Sequence, residues 1–334
     1  MLVNQDILSN KIEKYNSETL YGAIDLGTNN CQMIIGRWKT GRFEKIDSFS
    51  KIVRLGEGLD SSGYLSEHAM QRTIAALGVC VKLFQKYNVQ NIRAVATAAC
   101  RRANNASIFI RRVKVSTGLN IEVISPEEEA GLAFLGCRPL IKRKIGNALI
   151  IDIGGGSTEL LWVNSELLEL KSWTSLNLGV VTLFEKYGGE TISSDIFDAM
   201  LEDTSTAVES FFETVAFKSQ VKNSDIQIIG TSGTVTTIAS IYLELKKYDH
   251  KKVDGLCIPL INIKKIVSKL LKINYRERNA IPCVGEGRGD ILLAGCAILM
   301  GILSGFKFDK IVAADRGLRE GILQEYMHSE EGDS

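Results

Sequence analysis

Residues 148–160 read ALIIDIGGGSTEL, four apolar residues, an aspartate, and then three glycines in a row. The run Ala148-Leu149-Ile150-Ile151 suits a strand buried on both faces, where an isolated carboxylate is costly to desolvate, so Asp152 is expected at the strand's end. Gly154, Gly155 and Gly156 carry no Cβ. They permit positive φ and let another group come close to the main chain. The group expected there is an anion.

The same pattern occurs earlier in the chain, where Ala23-Ile24-Asp25-Leu26-Gly27-Thr28-Asn29-Asn30 matches Ile150 to Ser157 position by position. Each copy runs on into a second apolar stretch, CQMIIGRW and ELLWVN, so each reads as strand, Gly-rich turn, strand. One such hairpin is weak, because Gly, Asn and Ser populate turns for purely structural reasons. A second copy with Asp at the same offset argues for two related domains.

At 334 residues the chain has room for two domains, and 45% hydrophobic with 24% charged residues describes a globular protein. The formal net charge of +1 means that an anionic partner must be held by local basic clusters, which disfavours nucleic acid as the main ligand. Seven cysteines, without a C-x-x-C pair and mostly inside apolar runs, read as free thiols in a reducing compartment. The first twenty residues lack a continuous apolar core and no later run approaches a membrane span, so a cytoplasmic protein without membrane contact is expected. With only His68, His250 and His328 present, neither a Ser/His/Asp triad nor a His-rich metal site is expected.

Around the hairpins, helices and strands alternate: a helix from about Ser66, a strand from Ile92 to Ala99, a helix from Ala106 to Gly118, a strand from Ile121, and a similar succession to the end. The fold class is therefore α/β. A last helix from Leu318 to about Tyr326 is placed to cover the first domain, ahead of an acidic tail.

Ser125-Pro126-Glu127-Glu128-Glu129 opens a helix, with Ser125 at the N-cap, Pro126 at N1 and Glu128 completing a capping box. Glu129 lies beyond the reach of those effects and is either a solvated residue or a general base toward water. Asp25, Asp152 and Glu159 are either ligands for Mg²⁺ or another divalent cation beside bound phosphate, or acceptors for their own turns' amides. A third turn, Gly230-Thr231-Ser232-Gly233-Thr234, follows a strand and opens a helix, so it is an anion site unless Thr234 is only a cap. Arg101 and Arg102 offer planar donors to phosphate or to a neighbouring acid. Lysine and arginine groups elsewhere are solvated faces or the walls of a groove for a polyanion.

Seven stretches in order, AIDLGTNN, ATAACRRANN, EVISPEEEAGLAFLG, LIIDIGGGSTEL, SLNLGVVTLFEKYG, IIGTSGTVTTIASI and ADRGLREGIL, resemble the exopolyphosphatase and guanosine pentaphosphate phosphatase (Ppx/GppA) family. The resemblance runs from about Tyr21 to Leu323, and the cysteine-containing variants are similar to its short alphaproteobacterial exopolyphosphatases. It implies two ribonuclease-H-like domains of the actin-like superfamily around a cleft. Residues 1–136 with a C-terminal helix 307–334 would form the first, and residues 137–306 the second. It also implies Glu129 and Arg101 as catalytic residues, and Asp152 and Glu159 at a metal. Asp25, Gly27, Thr28 and Asn29 correspond to a first phosphate loop, Gly154 to Thr158 (Gly155, Gly156 and Ser157 between them) to a second, and Gly230, Ser232, Gly233 and Thr234 to a third. The implied substrate is inorganic polyphosphate or guanosine pentaphosphate, with a homodimer among the arrangements left open. Three departures stand out: Gly131 where an Arg is common, Asn30 where Ser is common, and GEGRGD at 285–290. Many relatives carry further C-terminal helical domains, so only the two-domain core is expected here.

Overall fold

The protein is described from a computed structural model covering residues 19–39, 42–188, 192–214, 226–285, 287–304 and 309–332. The N-terminal stretch read for a leader, the end of the acidic tail and Glu286 of GEGRGD lie outside the described residues.

Strands β1 (Tyr21–Leu26), β2 (Asn30–Lys39), β3 (Arg42–Ile52), β4 (Asn91–Ala96) and β5 (Ile121–Val123) form one sheet in the order β3-β2-β1-β4-β5. A second sheet holds β6 (Asn147–Ile153), β7 (Thr158–Asn164), β8 (Glu169–Leu176), β9 (Ile226–Thr231), β10 (Cys257–Pro259) and β11 (Lys310–Ala313), in the order β10-β11-β9-β6-β7-β8. Taken from β8 inward, β8-β7-β6-β9-β11 repeats the first sheet. The hairpin pairs are antiparallel and the β1–β4 and β6–β9 pairs are parallel. This is the duplicated ribonuclease-H-like arrangement that the repeated hairpin and the family resemblance imply.

Burial explains why the two central strands are almost wholly apolar. Leu149 and Ile151 of β6 join a core with Met200 and Ile298 on one face, while Ala148 and Ile150 join Ala130, Ala133 and Cys137 on the other. The first sheet buries Ile24 and Leu26 against Leu77, Cys80 and Phe84 of the Glu67–Lys86 helix, which Ser66 caps by accepting from Ala69 N. All seven cysteines are free, and six are buried. Among the described residues, no helix is long and apolar enough to cross a membrane.

Two helices join the lobes. In the Pro126–Cys137 helix, Ala130 and Ala133 face the second sheet, whereas Leu132 packs with Tyr21, Val95 and Ile322 of the first lobe's cluster. The Leu318–Gly332 helix crosses it through glycines: a Cβ on Gly136 would lie 2.0 Å from Gly317 O, and one on Gly321 would lie 2.0 Å from Leu132 O. The C-terminal helix thus returns to the first lobe, but later than residue 307. Val312 and Ala313 pair with Ile229 and Gly230, so β11 belongs to the second sheet. β4 also stops sooner than expected, at Ala96, because Thr97 takes the N-cap position of a short Ala98–Arg102 helix. Alanine's strong helix propensity favours that ending.

Candidate active site

The two hairpin tips are built alike. Gly27 N donates to Asn30 O, and Gly154 N donates to Ser157 O, each at 2.9 Å. Behind the first tip, Asn29 O accepts from Val53 N and Arg54 N at 2.8 and 2.9 Å, and Thr28 O accepts from Gly56 N at 3.0 Å. Behind the second, Gly154 O and Gly155 O accept from Val180 N and Val181 N at 3.0 and 2.8 Å. In each lobe, the segment that follows the third strand fastens the turn by its carbonyls.

The glycine triplet serves a purpose other than positive φ, which none of Gly154, Gly155 and Gly156 adopts. The tips pack against each other instead: a Cβ on Gly155 would lie 2.9 Å from Asn29 N, and one on Gly156 would lie 2.5 Å from Thr28 Oγ1. The group that approaches these glycines closely is the other hairpin.

A cavity of about 1260 Å³ opens beside the paired tips. Asp25, Gly27, Thr28 and Asn29 line it from the first hairpin, Asp152, Gly154, Gly155, Gly156, Ser157 and Glu159 from the second, and Ser232, Gly233 and Thr234 from the third turn. Three expected site residues stand elsewhere. Thr158 is fully buried and its Oγ1 donates to Leu178 O at 2.5 Å. Gly230 lies inside β9, where a Cβ would meet Ile311 Cδ1 at 2.7 Å, so it is a packing glycine. Arg101 stands behind the wall and donates through Nη1 to Glu129 Oε2 at 2.7 Å and to Ile124 O at 3.1 Å.

Three polar atoms at the first tip, Thr28 Oγ1, Asn29 Oδ1 and Asn30 Oδ1, are buried without a hydrogen-bond partner. Such an atom costs about 1–3 kcal/mol in a closed core, and a ligand that supplies the missing partner recovers that cost. Ser232 adds a second strained feature, a non-glycine φ of 71° at the start of the Ser232–Tyr242 helix. Strain of this kind concentrates where the surroundings hold a side chain to a task. Here the Ser232 hydroxyl donates to Asp152 Oδ1.

Asp25, Glu129, Asp152 and Glu159 are among the carboxylates that line this cavity. Burial pushes Asp25 up to about 7, against the nearby Arg319 and with help from Glu129, Asp152 and Glu320. Burial likewise raises Asp152, opposed by the Ser232 bond. Glu129, 8% exposed, is raised by burial and by Asp152, with Arg101 opposing. Burial raises Glu159 well above the usual carboxylate range, with Glu129 and Asp152 adding to it, although Ser175 Oγ donates to its Oε1 at 2.7 Å. So many buried acids cannot all ionise near pH 7 unless a positive charge joins them. The donor set is hard oxygen and fits a divalent cation. Among the described residues no three candidate ligands are gathered into a ready cage, so the fit is to an ion that takes one or two carboxylates and keeps its waters, as Mg²⁺ does.

The capping arrangement at Ser125 is half of what its sequence suggests. Ser125 Oγ accepts from Glu128 N at 3.1 Å, but the Glu128 carboxylate turns away to pair with Arg93. Sequence reasoning missed the turn before the C-terminal helix. Arg316, Arg319 and Glu320 line the cavity; Arg316 is forked onto Asp254 with bonds of 2.6 to 3.0 Å, and Arg319 balances Asp25. The R-x-x-R-E spacing within ADRGLREGIL was the available signal. Ser175 had none, since only the pairing of β7 with β8 brings it opposite Glu159.

Residues 34–330 match the Ppx/GppA phosphatase family. The chain belongs to that family. It is 31% identical over 332 residues to a bifunctional 3-dehydroquinate synthase/phosphatase of Fusobacterium nucleatum, covering 97% of this chain and 49% of that one. It is 30% identical over 320 residues to a guanosine-5'-triphosphate,3'-diphosphate pyrophosphatase of Photobacterium profundum, covering 95% and 61%. The chain thus spans about half to three-fifths of the length of these curated relatives. Among solved structures, the Aquifex aeolicus member of the Ppx/GppA family shares 31% identity, 93% of this chain and 98% of that one, with a TM-score of 0.76. A crystal structure of an exopolyphosphatase from Cytophaga hutchinsonii, 24% identical over 93% of this chain and 98% of that one, superposes with a TM-score of 0.85 and shares the fold.

Proposed function

We propose that this member of the Ppx/GppA family is a cytoplasmic exopolyphosphatase that removes the terminal phosphate of inorganic polyphosphate with water and releases orthophosphate, processively. Glu129 carries the reading. Helix capping does not require it, yet it is buried on the cavity wall with Asp25, Asp152 and Glu159, and Arg101 fixes it by Oε2. Burial raises its pKa above the usual carboxylate value, which makes it a better proton acceptor.

The hairpin tips and the Ser232–Thr234 turn bind the terminal phosphates, and the Thr28 hydroxyl, otherwise without a partner, donates to one of their oxygens. Asp152 and Glu159 would hold Mg²⁺, which when bound neutralises phosphoryl oxygens. Glu129 Oε1 accepts a proton from the water that attacks in line, and Arg101 keeps the carboxylate from turning away. Phosphoryl transfer depends mostly on such positioning and charge compensation. Lys45, Lys51, Arg288 and Arg316 come from both lobes to the same cavity and suit a long polyanion.

A second reading, a guanosine pentaphosphate 5'-phosphohydrolase, is favoured by the names of the curated relatives and by Tyr248, a cavity residue 41% exposed and able to stack on a base. Orthophosphate release from polyphosphate, guanosine pentaphosphate and ATP, by wild type and Glu129→Ala with Mg²⁺, tests both. The variant is expected to lose roughly 10²–10⁴-fold in turnover while still binding polyphosphate. A higher kcat/KM for the nucleotide moves the assignment to the second reading, and undiminished turnover in the variant removes Glu129 from the mechanism. Binding without turnover in the wild type makes the protein a polyphosphate-binding regulator.

A further inference from the structure

Residues 53–58 leave β3 and run across the back of the first hairpin tip. Besides the bonds from Val53, Arg54 and Gly56 to the tip's carbonyls, Arg72 of the Glu67–Lys86 helix donates to Val53 O at 3.0 Å, Arg54 O at 3.3 Å and Glu57 Oε2 at 2.8 Å. A Cβ on Gly56 would lie 2.3 Å from Thr28 Cγ2. The strap and the tip are therefore one packed piece.

Two groups on this piece reach the second lobe. Arg54 Nη2 donates to Asp290 Oδ2 at 2.5 Å and to Gly287 O at 3.1 Å, and Gly58 N donates to Glu185 Oε1 at 3.0 Å. Arg54 has a φ of 46°, a conformation a non-glycine residue holds only at a cost. The Asp290 side chain is 12% exposed, so solvent screens this pair less than a surface ion pair. Between the two second-lobe acceptors sits Arg288, a residue of the cavity lining.

We propose that Arg54 is a positioning residue: through Asp290 and Gly287 it holds the Arg288 segment of the second lobe in register with the Thr28–Asn29 tip of the first, the arrangement that grips substrate phosphates. The proposal rests on the reading of the cavity as a phosphate site. Arg54 touches no reacting atom. Without the pair, the lobes spend less time in the competent arrangement, and apparent affinity falls by that fraction. The step at Glu129, on another element, keeps its rate once substrate is engaged. The effect belongs in KM and not in kcat.

The test compares Arg54→Lys, Arg54→Ala, Asp290→Asn and the reversed pair Arg54→Asp/Asp290→Arg. Polyphosphate kinetics with Mg²⁺ are one readout; hydrogen exchange of amides 28–30 and 53–58 in the substrate-free proteins is the other. Arg54→Ala and Asp290→Asn should each raise KM about tenfold with kcat within about twofold, and their combination should do little more than either alone. Arg54→Lys should lose less than Arg54→Ala, and the reversed pair should recover much of the affinity. Amides of the strap and tip should exchange faster in both single variants. Additive losses, a fall in kcat with KM unmoved, or unchanged exchange overturn the proposal. If the wild type releases no phosphate from any anhydride, the functional reading fails by itself, and the exchange measurement still decides whether Arg54 ties the lobes.

Discussion

Across the β1–β2 ladder Asp25 faces Gln32, and across the β6–β7 ladder, at the same offset from the glycine turn, Asp152 faces Glu159. The backbone is duplicated, but the charge is not. In the second lobe two carboxylates stand side by side, each receiving a hydroxyl, from Ser232 and from Ser175. In the first lobe the single acid is balanced by Arg319, and the tip instead carries unpartnered hydroxyl and amide oxygens. Two acids on adjacent strands repel unless a cation joins them, whereas Asp25 has the charge of Arg319 to offset part of its burial. The copies have thus divided the work: the second hairpin suits a cation, and the first offers a phosphate the Thr28 hydroxyl as a neutral donor.

The largest effect that follows separates the two equivalent aspartates. Asp152→Asn should lower turnover by roughly 10²–10³-fold, the scale for losing a preorganised electrostatic group, and Asp25→Asn by only about tenfold. Steady-state orthophosphate release measures both, and equal losses would break the comparison. The paired positions sharpen it further. Glu159→Gln should raise the Mg²⁺ concentration for half-maximal activity by about 10–100-fold. Gln32→Glu should leave that concentration nearly unchanged, because the new acid stands beside Asp25 and Arg319.

Titration of the buried acids is expected to show in the stability of the protein. Asp25 is raised from 3.8 to about 7 in the folded protein, so between those values the native state holds a proton that the unfolded chain has released. Stability from that proton is present at the acidic end and is lost as pH rises toward 7. Asp152, Glu129 and Glu159, also raised, act in the same direction. In chelator, Tm should fall by a few degrees between pH 5 and 8, and Mg²⁺ should raise it more at pH 8 than at pH 5. Asp25→Asn should flatten the curve without removing the Mg²⁺ response. A Tm that climbs across this range would contradict the buried-acid reading.

Much of this arrangement was legible from local pattern. The apolar run with Asp152 near its end, the repeated turn, the Ser125 N-cap and the left-handed Gly118 that ends the Ala106–Thr117 helix each follow from chemistry within a few residues. What was not legible depends on pairing between distant segments. Ser175 becomes a partner of Glu159 only through strand register, and Asp290, within the departing stretch GEGRGD, meets Arg54 only because two lobes come together. The type of Arg101 suits a donor to phosphate or to a neighbouring acid, and only the fold shows that its Nη1 donates to Glu129.

The smallest effect tests why the glycines are there. At Gly155 an added methyl meets the backbone nitrogen of Asn29, which cannot turn aside as a flexible side chain would. Gly155→Ala should therefore force the two tips apart, costing about 1–3 kcal/mol of stability, the usual range for overpacking, together with phosphate affinity. At Gly233 an added Cβ has nothing within 4 Å, φ is not positive, and the residue lies in the first turn of a helix. Alanine there should leave stability unchanged or raise it by about 0.5–1 kcal/mol, as alanine does for glycine within helices. Its methyl group, however, stands at the wall of the cavity, so Gly233→Ala should weaken polyphosphate binding alone. Thermal melts beside equilibrium binding distinguish the two. If Gly155→Ala kept the wild-type Tm and lost only binding, the triplet would be reserved for the ligand after all, and the packing of one hairpin on the other would be a consequence of the glycines and not the reason for them.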